Sequence, residues 1–201
     1  VASMAAISAG AATPEQTRLL VGIMVDGLDA DQLDLLRERF GQGGFKLLEQ
    51  QGVTLTADYG TSLDATAATA TIFTGAAPST SGIGGDTHFD RRTLRKSPVY
   101  ADHDVLGNFS PSGFSPKALR VSNLSDEARI ASGGTNNVYA VAAQPGTAIS
   151  MAGHNATSAL WLDHKTGNWA SSTAYPDMPV AIAARNRTLP LSVRLDTMSW
   201  T

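Results

Sequence analysis

Asp26 is the first residue whose position could serve chemistry. It closes the uninterrupted apolar run Leu19 to Val25 and is followed at once by Gly27. A charge-free run of this kind reads as a buried strand of a parallel sheet. Open parallel sheets bind ligands just past the carboxyl ends of their strands. A carboxylate there suits a metal ion or a phosphate-bound cation, and its plainer use is as a turn or helix-capping aspartate. The four histidines, His88, His103, His154 and His164, include no pair at a spacing of three or four, so they form no self-contained zinc site. His164, between Asp163 and Lys165 in a turn, reads as solvated. His154, after Ala152-Gly153, reads as a site residue or as a satisfied structural histidine. The chain has no cysteine, which excludes disulfides, thiolate metal sites and a thiol nucleophile. Neither a nucleophile elbow nor a Gly-rich phosphate loop ending in Lys-Ser/Thr occurs.

The elements that must position these groups follow from periodicity and breakers. After Asp26-Gly27, Leu28, Leu33, Leu35, Leu36 and Phe40 recur on a helical period, with Asp29 as an N-cap. A second helix starts at Phe45 and is closed by Gly52, and Val53 to Ala57 reads as a short strand. Ala65 to Phe73 fits helix by alanine content and strand by its threonines, and Thr74-Gly75 ends it. His88 to Leu94 has the form of a small hairpin, and residues 97–117 read as a surface excursion. Ser122 to Ile130 is a helix capped by Ser122. Asn137 to Ala143 is a second buried strand. Leu160–Asp163 and Asn168–Ser172 flank a turn and predict a second hairpin, and Met178 to Arg185 a short helix. Buried strands alternating with helices predict an α/β fold with a mainly parallel sheet sandwiched by helices, incomplete in this chain, with a β-hairpin excursion.

Composition narrows the function. Of 201 residues, 15 are basic and 18 acidic, a net charge of −3, which excludes the basic excess of a nucleic-acid binder. At 42% apolar and 16% charged residues the chain can build a core. No apolar run is long enough for a membrane span. Residues 1–12 carry no charge, and Ala9-Gly10-Ala11 has the small-x-small form of a signal-peptidase site. They read as the remnant of a signal peptide, which implies export to the periplasm or cell exterior; a flexible Ala/Ser-rich leader is the alternative. Residues 13–201 then form one α/β portion.

Several segments, in order, resemble one family. Leu20 to Gly27 looks like the first strand and metal aspartate of the alkaline phosphatase superfamily, in its type I phosphodiesterase/nucleotide pyrophosphatase branch. Gly43-Gly44-Phe45-Lys46-Leu47-Leu48 with Gly52-Val53 is similar to a helix of that branch. Thr71-Ile72-Phe73-Thr74-Gly75, Pro78-Ser79 and Gly82-Ile83 are similar to its next segment. Ala152-Gly153-His154, Ala159-Leu160-Trp161 and Gly167-Asn168-Trp169 are similar to a later one. The resemblance implies an α/β sandwich around two zinc ions, the N-terminal portion of which this chain would supply, and a phosphate ester as substrate.

Carried over residue by residue, the resemblance puts the first zinc aspartate on Asp26. The threonine nucleophile, counted back from the Gly of Thr74-Gly75, falls on Ala65, which can neither attack phosphorus nor ligate zinc. Thr66 is the neighbouring hydroxyl, turned by ~100° around a helix. The phosphate-binding asparagine falls on Asp86, whose charge opposes a phosphate dianion. The phosphate-clamping Lys and Arg, counted back from Gly153-His154, fall on Gln144 and Gly146. Most zinc ligands would lie outside this chain. Asp26, Thr66 and Asp86 are expected to meet in one cleft, with the backbone N–H groups of Thr66's helix facing it as an anion site. Three readings result. The first is an exported metal-dependent phosphoester hydrolase with Thr66 or a metal-bound water as nucleophile. The second is a catalytically inactive relative that binds or scaffolds, and the third a flavodoxin-like nucleotide-binding domain, which lacks the expected glycine pattern.

Overall fold

The computed structural model describes residues 18–193 apart from 29, 56, 177 and 192. The expected signal-peptide remnant at 1–12 and the expected cap Asp29 lie outside the described residues. The chain divides into two compact units at residues 50 and 51.

In the first unit, helices α1 (Ala30–Leu36) and α2 (Phe45–Gln51) flank a single 3-10 turn at Arg37–Arg39. Arg37 bonds Asp34 at 2.7 Å and reaches Glu49 at 3.3 Å, and the rings of Phe40 and Phe45 lie 5.3 Å apart. The expected buried strand over Leu19–Val25 is not formed. The segment has no ladder partner, and Leu19, Val21 and Ile23 are 78%, 65% and 76% exposed. A strand exists only by pairing, and apolar character alone supplies no partner for its N–H and C=O groups. For the same reason Val53–Ala57 forms no strand at its described residues.

The second unit holds the expected α/β arrangement. Helix α3 (Ala65–Thr74) begins at Asp64, whose carboxylate accepts the Ala67 N–H at 3.0 Å, and ends at Gly75. Short α4 (Pro78–Ser81) follows, then the ribbon β1 (Thr87–Asp90) and β2 (Arg95–Pro98), which pair antiparallel. The excursion carries β3 (Gly107–Asn108) and a 3-10 turn at Pro116–Ala118. Then come α5 (Leu124–Ala131), β4 (Tyr139–Ala142), α6 (Pro145–Ala152), β5 (Ser158–Asp163), β6 (Asn168–Ser172) and α7 (Val180–Thr188). The main sheet has the order β3-β6-β5-β4.

Among the described residues that sheet is mixed rather than mainly parallel. β4–β5 is parallel through the crossover helix α6, whereas β5–β6 and β3–β6 are antiparallel. The tight turn at 164–167 forces the first of these antiparallel pairings. β4 is an edge strand, with Ala140 buried but Tyr139 and Val141 58% and 53% exposed, so only one of its faces is covered.

Alanine-rich α6 packs on β4 and β5, α3 packs on α6, and α7 packs on β6. Ala70, Ala148, Ala152, Ala159 and Ala170 are fully buried, which lets helices and sheet approach closely. Trp161, 1% exposed, meets Phe114 edge-on at 5.7 Å. The cap of α5 is Asn123 rather than Ser122. Asn123 and Asp126 form a reciprocal capping box, because the acidic residue three positions on selects the cap it can answer. Asp126 also accepts the main-chain N–H of His154 (2.7 Å) and Asn155 (3.0 Å) and faces His154 Nδ1 at 2.9 Å. The other ring nitrogen of His154 meets the Leu119 carbonyl at 3.0 Å. His154 is therefore a structural clasp. No helix among the described residues is long and apolar enough to cross a membrane.

Candidate functional site

A cavity of about 280 Å³ lies where the first turns of α3 and α6 meet the base of the β1–β2 ribbon. Thr66, Asp86, Gln144 and Gly146 all line it, together with Tyr100 and His164. Four positions scattered over the sequence thus reach one hollow because α3 packs against α6 and the ribbon leaves from the adjoining loop. Asp26 belongs to the other unit.

Thr66 is the second residue of α3 and 1% exposed. Its hydroxyl has no hydrogen-bond partner among the described residues, while its carbonyl accepts from Ser150 Oγ at 3.4 Å. Ser150 in turn faces Tyr100 Oη at 2.9 Å. The relay Tyr100–Ser150–Thr66 ties the start of α3 to α6, and burial pushes the Tyr100 phenol up to about 12. Gly146 lies directly against Thr66: a Cβ on it would stand 2.5 Å from Thr66 Oγ1 and 3.1 Å from its Cγ2. Glycine is therefore the residue the Thr66 side chain permits there.

The electrostatics are those of a neutral-to-acidic hollow. The expected open anion site at the start of α3 is partly filled by the chain itself. Asp64 Oδ1 takes the Ala67 N–H, and Asp64 Oδ2 takes the Asp86 N–H at 2.6 Å. The start of α6 has no side-chain cap: Gln144 occupies the cap position and Pro145 the first turn. Of the lining side chains only His164 could carry positive charge. Asp86 itself is exposed.

Asp26 sits exposed in the turn Asp26-Gly27. Among the described residues no three His, Asp or Glu side chains cluster as a metal-binding group. One aspartate does not make a zinc site, which takes three or four ligands, so this donor set does not fit the two ions that the resemblance implies. Sequence reasoning missed Asp64, although an aspartate just before an Ala-rich helical run is an N-cap signature. It also missed the Tyr100–Ser150 relay, which no local spacing encodes.

The family model for type I phosphodiesterase / nucleotide pyrophosphatase matches residues 20–201. The chain belongs to this family. It is 32% identical over 180 residues to a protein of Myroides odoratus named "Calcium-transporting ATPase", covering 86% of this chain and 33% of that protein. It is 34% identical over 169 residues to alkaline phosphatase PhoV of Synechococcus elongatus, covering 81% of this chain and 30% of PhoV. A crystal structure of a quadruple variant of alkaline phosphatase PafA superposes with a TM-score of 0.76 at 28% identity, covering 88% of this chain and 35% of PafA. The chain spans about a third of the length of the curated relatives it matches. The phosphodiesterase-family α/β architecture expected from the sequence is thus the one observed.

Proposed function

We propose that this chain builds an alkaline-phosphatase-like cleft that binds a small ligand without carrying out threonine-dependent phosphoryl transfer. The observation that carries the reading is the lining of the cavity: Thr66, Asp86, Gln144 and Gly146 together, with no lysine or arginine among the lining residues. The spacing of the PafA variant supports the assignment. Its substituted residues are a Thr, an Asn, a Lys and an Arg. The Thr and Asn are separated in sequence as Ala65 and Asp86 are here, and the Lys and Arg as Gln144 and Gly146 are. On that correspondence the nucleophile position holds a methyl group, the asparagine position a carboxylate, and the clamp positions no charge.

Each preorganised charge-stabilising donor is worth about 2.7–4 kcal/mol in the transition state. Losing two cations and gaining an opposed carboxylate removes most of what the site could offer a phosphoryl group. Asp86 and the capping carboxylate Asp64 instead favour a neutral or cationic ligand. Export to the periplasm or cell exterior belongs to the same proposal and rests on the uncharged residues 1–12. No step is assigned to zinc, since Asp26 alone is a retained ligand.

A second reading has one observation in its favour. The Thr66 hydroxyl lines the cavity and has no partner among the described residues, as an unused nucleophile would. Against it, no side chain among the described residues accepts its proton. Calorimetric titration of the chain with inorganic phosphate separates the two, with Asp86→Asn in parallel. The proposal expects no saturable phosphate binding by the wild type and weak binding by Asp86→Asn. Tight phosphate binding by the wild type would overturn it.

A further inference from the structure

The β1–β2 ribbon carries a feature that the cavity does not use. Its strands and turn hold Arg91, Arg92, Arg95 and Lys96 against the single carboxylate Asp90, in a chain whose net charge is −3. All four cations are exposed, and none is in an ion pair among the described residues. Asp90 is committed to the turn. It accepts the N–H of Arg92 at 2.7 Å, the N–H of Thr93 at 3.4 Å and the Thr93 hydroxyl at 2.9 Å. Those bonds hold its carboxyl below the usual range, and they fix the loop that presents the arginines.

Two large apolar side chains stand among these cations. Phe89 is 58% exposed and lies opposite Lys96 in the ladder, on the same face of the ribbon. Leu94 is 73% exposed at the turn, held at φ 54°. A bulky residue in the left-handed region, with its side chain in water, is costly twice over. Neither residue contributes to the core of the second unit.

We propose that this ribbon docks on an anionic lipid surface, with Phe89 and Leu94 entering the headgroup boundary and Arg91, Arg92, Arg95 and Lys96 paired with lipid phosphates. Cations that meet phosphates while apolar neighbours leave water are the pattern of interfacial binding. A nucleic acid would satisfy the charges but leave Leu94 without apolar cover, and an acidic protein partner is one of the outcomes that the test below separates from lipid. The docking does not depend on what the cavity binds. Its consequence is positional: Thr87 and Pro98, at the base of the ribbon, line the cavity. The docked lipid therefore lies about one strand length, ~13 Å, from the cavity.

Cosedimentation of the full chain with phosphatidylcholine vesicles, with and without phosphatidylglycerol, tests this. Binding is expected to the anionic vesicles only, and to fall as salt is raised. Arg91→Gln with Arg92→Gln should weaken it about 30-fold, from ~1 kcal/mol for each cation removed. Arg95→Gln with Lys96→Gln gives the same test on the other side of the turn if the first variant misfolds. Phe89→Trp supplies a readout of insertion, with a blue-shifted emission on anionic vesicles and none on heparin or duplex DNA. Equal binding to both vesicle types, undiminished binding by the correctly folded Gln variants, or binding to DNA or an acidic peptide but not to vesicles would each overturn the proposal.

Discussion

Replacing Gly146 by alanine should destabilise this protein, although the same change in an ordinary helix stabilises it by roughly 0.5–1 kcal/mol. Gly146 sits in the first turn of α6, where its missing Cβ leaves room for Thr66. An added Cβ would stand 2.5 Å from Thr66 Oγ1, 3.1 Å from Cγ2 and 3.4 Å from Cβ. The first distance is far inside contact, so the buried Thr66 side chain must leave its rotamer or α3 must shift. Overpacking of this kind costs about 1–3 kcal/mol, or roughly 2–12 °C in Tm for a domain of this size. Thr66→Ala removes Oγ1 and Cγ2 and leaves only its Cβ, at an ordinary contact distance. The double variant should therefore recover most of the loss, with a coupling of about 1–3 kcal/mol in a double-mutant cycle. Urea denaturation of the four proteins measures it. Additive effects within ~0.5 kcal/mol, or a stabilising Gly146→Ala, would refute the packing and with it the account of why no cation occupies this position. By the same geometry, Gly146→Arg needs Thr66→Ala beside it to fold well.

Alkaline pH should unfold the protein through Tyr100. Its phenol is raised by burial from 10 to about 12, so the stabilisation is complete below pH 10 and is lost as pH rises from 10 through 12. That amounts to about 2–3 kcal/mol, and the alkaline loss in urea midpoint should shrink in Tyr100→Phe. Tyr175, also raised by burial, should resist ionisation in the same range, which absorbance at 295 nm will follow. Asp126→Ala strands the main-chain N–H groups of His154 and Asn155 and frees the His154 ring. Leaving those donors unsatisfied should cost about 1–3 kcal/mol each, read as a fall of roughly 4–24 °C in Tm for the two.

What the sequence revealed tracks what is local. The Leu160–Asp163 and Asn168–Ser172 pair is flanked by a tight turn and forms as expected. The Ala65–Thr74 segment resolves as helix because Asp64 caps it and Gly75 ends it, which outweighs its threonines. The Leu19–Val25 run shows the limit: apolar periodicity reports what could be buried, and the pairing that would make a strand is non-local. Helix α6 escapes a propensity reading because Pro145 and Gly146 look like breakers, yet proline at the first helical position is favoured. At the site, the family resemblance supplied positions, and the structure draws Thr66, Asp86, Gln144 and Gly146 to one cavity. The contact that makes Gly146 and Thr66 depend on each other spans two helices and could not be read from either segment.

The central claim is that this cleft does not transfer phosphoryl groups from a threonine. Zinc-supplemented hydrolysis of an aryl phosphate monoester and an aryl phosphate diester tests it directly, using the full chain, Ala65→Thr and Thr66→Ala. The account predicts no turnover above background in any of the three, because a hydroxyl restored at position 65 still lacks the cations at 144 and 146 and still faces the Asp86 carboxylate. Turnover by the wild type that disappears in Thr66→Ala would contradict it and make Thr66 the working nucleophile.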